Sequence, residues 1–91
     1  MIYLHLGQDT VVHEDSIIGV FDTDNTTQSH VTREYLRRAE KAGRVVDISG
    51  ELPKSFVVCR VSDGGVTVYL SQLSSQTLLR RSESGILDIE Q

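Results

Sequence analysis

Ile2, Leu4 and Leu6 alternate with Tyr3 and His5, which is the period of a half-buried β-strand. Gly7-Gln8-Asp9 reads as a turn, and residues 10–13 as a second short strand. Residues 16–21, Ser-Ile-Ile-Gly-Val-Phe, predict a third strand that is apolar on both faces, as a strand in the middle of a sheet is. Residues 22–27 are a run of turn and N-cap types, with Asp22 and Asp24 suited to the positive end of a helix. The period then becomes helical. Val31, Tyr35, Ala39 and Ala42 follow one another at steps of four, four and three, which predicts one apolar stripe on a helix over about 28–42, closed by Gly43 as its C-cap.

Residues 44–48 return to a strand pattern, and Ser49-Gly50-Glu51-Leu52-Pro53-Lys54 is a loop in which Pro53 forbids helix. Residues 56–61 and 66–70 are rich in β-branched and aromatic types. Between them stands Ser62-Asp63-Gly64-Gly65, the chemistry of a tight hairpin, because glycine tolerates positive φ. A second helix is expected to start at Ser74 or Ser75 and carry Leu78 and Leu79. It would end before Gly85, ahead of a short segment over 86–89. The pattern is that of a small α+β domain with an antiparallel sheet, including a hairpin at about 56–70, and two helices.

Composition narrows the class. Ninety-one residues with one Pro, no Trp, 38% apolar and 24% charged content fit one domain over 1–91 whose core rests on Val, Ile and Leu. A chain this short hides little more than half of the surface that its unfolded form exposes, so self-association adds stability. The longest apolar run, residues 17–21, is far from the ~20 residues that span a bilayer. The N-terminus lacks a basic region and a small-residue cleavage site. A cytoplasmic protein without membrane contact is the expectation. The single Cys59 sits in an apolar strand, where a buried, inert thiol is the ordinary outcome. His5, His13 and His30 fall on three elements without ligand spacing, and the glycines form no phosphate-cradling loop. No enzyme, metal site or cofactor is expected.

Charge changes the picture most. The net charge of −4 argues against an indiscriminate polyanion binder. Its distribution is uneven: residues 29–44 hold five basic and two acidic residues, a sum of +3, which leaves −7 on the other 75. At 100° per residue, Arg33, Arg37, Lys41 and Arg44 fall within an arc of about 80°, opposite the apolar stripe. Two readings stand side by side. One is a solvated face trimmed by the pairs Glu34–Arg38 and Glu40–Arg44; the other is a strip that meets phosphates. Arg80 and Arg81, in the last turn of the second helix as read here, suit its negative end. Lys54 is one further isolated cation.

Leu4-His5-Leu6-Gly7, Ser16-Ile17-Ile18-Gly19-Val20-Phe21-Asp22, Pro53-Lys54-Ser55-Phe56-Val57-Val58 and Tyr69-Leu70-Ser71-Gln72-Leu73-Ser74-Ser75-Gln76-Thr77-Leu78 together resemble the RemA/RemB family of extracellular-matrix regulators, most closely its RemB branch. The resemblance implies subunits that assemble into a ring-like homo-oligomer and a role in transcription of biofilm-matrix genes in Gram-positive bacteria. In the RemA branch, an arginine pair directly after a glycine contacts DNA. Glu51 and Leu52 stand at that place after Gly50 here, and another arginine of that branch falls near Ser16. The DNA-contacting residues expected here are therefore Arg33, Arg37, Lys41, Arg44, Lys54, Arg80 and Arg81. The alternative expectation is a protein-interaction scaffold, or a partner of a RemA-type regulator, without direct DNA contact.

Overall fold

Strand β5 (Ser55–Arg60) is the centre from which the architecture follows, because it is buried on both faces over Ser55–Cys59. In the computed structural model, which describes residues 3–23 and 30–90 with side chains through Ser82, nine elements follow one another. These are β1 (Tyr3–Gly7), β2 (Thr10–His13), a 3-10 turn (Glu14–Ser16), β3 (Ile17–Asp22), α1 (His30–Lys41), β4 (Val45–Asp47), β5, β6 (Val66–Ser71) and α2 (Ser75–Glu90). A four-stranded sheet has the order β3-β5-β6-β4, and β1 and β2 form a separate hairpin. β5 is antiparallel to β3 and β6, whereas β4 is parallel to β6. α1 thus crosses from one edge of the sheet to the other, and the β5–β6 hairpin fills the gap between β3 and β4.

Side-chain alternation on β5 and β6 divides the core into two layers. Val57, Cys59 and Tyr69 join Leu4, Leu6 and Val12 of the β1–β2 hairpin and Leu78 of α2. Phe56, Val58, Val66, Val68 and Leu70 face the other way, against Leu36 and Ala39 of α1. Two buried serines fasten the first layer: Ser71 Oγ donates to the Leu6 carbonyl at 2.7 Å, and Ser55 Oγ donates to that of Leu73 at 2.7 Å. The hairpin turn forms as its residues predict, with Gly64 at φ +90° and the Gly65 N–H donating to Asp63 Oδ1 at 2.8 Å. Gly43, at φ +71°, closes α1: its N–H reaches the Glu40 carbonyl at 3.0 Å, and the Arg44 N–H reaches that of Ala39 at 2.9 Å. Ser74 caps α2, accepting from the Thr77 N–H at 3.1 Å.

Four expectations require correction. β3 is an edge strand, not a central one, paired to β5 alone among the described strands. Its apolar character on both faces has a different origin. A bulge between Ile17 and Gly19 re-aims the strand, so Ile17 and Val20 enter the core while Ile18 and Phe21 emerge on the α1 side. The buried stripe of α1 is also rotated. Leu36 and Ala39 pack on the sheet with Thr32 half-buried behind them, whereas Val31 is 76% exposed and Tyr35 41%. α2 does not stop before Gly85 but continues to Glu90. Glycine in a helix costs about 1 kcal/mol without a steric clash, so it weakens the helix rather than ending it. It follows that Arg80 and Arg81 lie in the interior of α2, and the compensation by a helix end falls away. Ile2, Asp24 and residues 28 and 29 lie outside the described residues.

Candidate nucleic-acid interface

α1 presents its cations because the sheet takes only the narrow strip through Leu36 and Ala39. Arg33, Arg37, Arg38 and Lys41 are all exposed. The face is less free than its charge suggests. Glu34 lies among them and binds two: Arg37 Nη2 donates to Oε2 at 2.7 Å and to Oε1 at 2.8 Å, and Arg38 Nε donates to Oε1 at 3.2 Å. The Glu34–Arg38 pair was legible at i,i+4, whereas the shorter Arg37 contact at i,i+3 was not. These hydrogen bonds, Arg37 first, hold the Glu34 carboxyl below the usual glutamate range. At this exposure the pairs stabilise little. Their effect is to hold the guanidinium groups in place and to neutralise part of the strip.

Arg44 departs from the face assigned to it. The left-handed turn at Gly43 swings the chain toward the β5–β6 turn, where Arg44 Nη1 donates to the Val66 carbonyl at 3.2 Å. Its guanidinium lies over Gly65, where any Cβ would collide with it. The expected Glu40–Arg44 ion pair is replaced by this contact. Lys54 sits in the loop at the sheet end, its backbone tied to Thr23 and Ser71 (3.1 and 2.8 Å) and its side chain exposed.

Arg80 and Arg81 lie on the opposite side of the molecule, since α2 packs with the β1–β2 hairpin on the face turned away from α1. Arg81 Nη1 donates to the His5 carbonyl at 3.2 Å, an anchor between α2 and β1. The seven sequence-derived residues thus form no single surface in one chain. Arg33, Arg37 and Lys41 stay together on α1; Arg44, Lys54 and the Arg80–Arg81 pair are dispersed.

The remaining chemistry is sparse. Burial raises the Cys59 thiol above its ordinary value, against a smaller pull from Ser16. Among the described residues no group of three His, Cys, Asp or Glu side chains is placed to hold a metal, and no helix is long and apolar enough to cross a membrane. One feature escaped the sequence reading: Ile18, Phe21, Val31 and Tyr35 line an apolar groove between β3 and α1. The signal was present, because Tyr35 and Leu36 are adjacent and both apolar, and only one of them can face the sheet.

Comparison with known proteins adds a family to this geometry. The sequence model of a family described as RemA-like, extracellular matrix regulatory protein A-like, matches residues 3–81. Extracellular matrix regulatory protein B of Bacillus subtilis (strain 168) is 35% identical over 82 residues, covering 90% of this chain and 91% of that protein.

Proposed function

The chain belongs to the RemA-like family, and from that premise we propose that it is a non-enzymatic regulator of extracellular-matrix genes, acting in the cytoplasm as a homo-oligomer that contacts DNA through α1. The observation that carries the DNA contact is the exposed row Arg33, Arg37 and Lys41 on the helix face turned away from the sheet. A row of three cations is a weak site alone. Repeated around an assembly it gains by avidity, since each further contact is made at a high effective concentration. Such binding rests on phosphate neutralisation, so it falls steeply with salt and depends little on base sequence.

The experiment is a titration of matrix-gene promoter fragments at low and moderate salt. It compares the parent with an Arg33→Glu/Arg37→Glu/Lys41→Glu variant. We expect the parent to bind and the variant to lose at least about tenfold in affinity, with a salt slope shallower by about 0.9 for each phosphate contact removed. A variant that binds like the parent overturns the α1 assignment. No binding by the parent even at low salt overturns direct DNA contact. The dispersal of the other cations and the −7 outside residues 29–44 then favour the second reading, a charge-complementary protein partner of RemA type, which co-purification from cells would reveal.

A further inference from the structure

We propose that the Leu52 loop of one copy docks in the apolar groove between β3 and α1 of a second copy. The inference rests on the oligomeric reading above and assigns the contact that holds the subunits together.

The groove is a built feature. Nine large apolar side chains are left exposed among the described residues, and four of them, Ile18, Phe21, Val31 and Tyr35, converge on it. Phe56 and Val58 form its floor, its volume is about 300 Å³, and no charged side chain lines it. Two backbone devices place its β3 wall. The bulge after Ile17 turns Ile18 to the same face as Phe21, and Gly19 leaves room for the Phe21 ring to lie over the strand, where a Cβ would fall 2.6 Å from Cζ. Residues 24–29, Asp-Asn-Thr-Thr-Gln-Ser, contain no large apolar side chain that could fill it. A cavity of about 150 Å³ already accepts a six-carbon ring, so this one has room for a leucine with part of its neighbour.

Leu52 supplies the matching shape. It is 85% exposed, more than any other large apolar residue described. Its loop is held rather than loose. Gly50 adopts φ +80°, the Ser49 N–H and Oγ donate to Asp47 Oδ1 at 2.9 and 2.6 Å, Thr23 Oγ1 donates to the Pro53 carbonyl at 2.9 Å, and the Lys54 N–H donates to that of Ser71 at 2.8 Å. A side chain already fixed in a protruding position loses little freedom on docking, which favours affinity. Charge agrees as well. Arg38 lies one turn beyond Tyr35 on the same strip of α1, with its side chain 79% exposed, and Glu51 immediately precedes Leu52. Seating Leu52 in the groove brings Glu51 of one copy toward Arg38 of the next. Because loop and groove are different surfaces, the contact is heterologous and propagates head to tail, closing into a ring where the rotation allows.

The test uses the full chain, with mass measured by light scattering and native mass spectrometry at micromolar concentration. Both Leu52 and Val31 are exposed, so their variants keep the fold, which circular dichroism checks. Leu52→Asp is expected to weaken self-association at least about tenfold with an unchanged circular dichroism spectrum, and Leu52→Met to preserve it. Glu51→Arg and Arg38→Glu are each expected to weaken assembly and, combined, to restore it. In a Cys59→Ser background, Leu52→Cys with Val31→Cys is expected to give disulfide-linked multimers under mild oxidation. An oligomer that Leu52→Asp leaves intact and that yields no such cross-link overturns the docking while the oligomeric reading survives. A monomeric parent overturns both.

Discussion

Asp47 shows how a single side chain fixes a loop. Its carboxylate accepts both the Ser49 N–H and the Ser49 hydroxyl, and these bonds, the hydroxyl first, hold its pKa below the ordinary aspartate value of about 3.9. A folded pKa that is depressed contributes stability above the unfolded pKa, and that contribution is lost as pH falls through the folded value. An NMR titration of the Asp47 carboxyl should therefore give a midpoint below about 3.9, with the Ser49 amide signal moving in parallel. Gly50 belongs to the same loop, and its φ of +80° is a conformation that side chains resist. Gly50→Ala should cost about 1–2 kcal/mol and lower the thermal midpoint by roughly 4–8 °C per kcal/mol. Cys59 is buried with a raised pKa. Its reaction with a thiol reagent at neutral pH should be slow in the native protein and rise to the rate of a free thiol only in denaturant.

Among the elements, α2 offers the sharpest contrast between neighbours. Leu78 is fully buried under the β1–β2 hairpin, whereas Leu79 beside it is 57% exposed. Leu78→Ala should destabilise by about 2–5 kcal/mol and Leu79→Ala by about 0.5 kcal/mol or less, both read from urea unfolding midpoints. The two helices, the six strand segments and both glycine-dependent turns were legible, because period and turn chemistry are local properties. What failed was the direction in which an element faces. Val31 and Tyr35 satisfy helical spacing as well as Thr32, Leu36 and Ala39 do, and only the position of the sheet decides between the strips. A strand apolar on both faces is equally ambiguous: burial in a sheet centre and an uncovered edge write the same residues, and β3 is the second case. Arg44 was misplaced because a helical wheel cannot be carried past a left-handed glycine. Gly85 was misread because glycine ends a helix only when the residues beyond it have better contacts elsewhere.

At the scale of the whole molecule, three layers separate the cations: α1 carries one group on one side of the sheet, and α2 carries Arg80 and Arg81 on the other. A surface that joins the two groups would therefore have to come from more than one copy. The sequence could reveal the charge of each helix but not this arrangement, which depends on β3, β5, β6 and β4 lying between them. If DNA is held by repeated α1 faces, the Leu52→Asp protein should bind it about 10²–10⁴-fold more weakly than the assembled parent although it keeps every α1 cation. Parallel titrations of the two proteins at one salt concentration measure this.

The placement of the β5–β6 hairpin also has a consequence in time. Its strands are joined by a five-residue turn and need little loop closure. By contrast, β3 reaches it only through the long path that includes α1, and β4 pairs with β6 only across the loop over 48–54 and the whole of β5. The hairpin is therefore suited to form first and the flanking strands to zip onto it afterwards, the last added being the first released in native fluctuations. Hydrogen exchange followed by mass spectrometry should find the amides of Val57, Val58 and Val68 opening only with global unfolding, and those of β4 and of Ile18 exchanging through smaller openings. The β3 wall of the groove proposed to receive a second copy is then also a place at which the fold breathes.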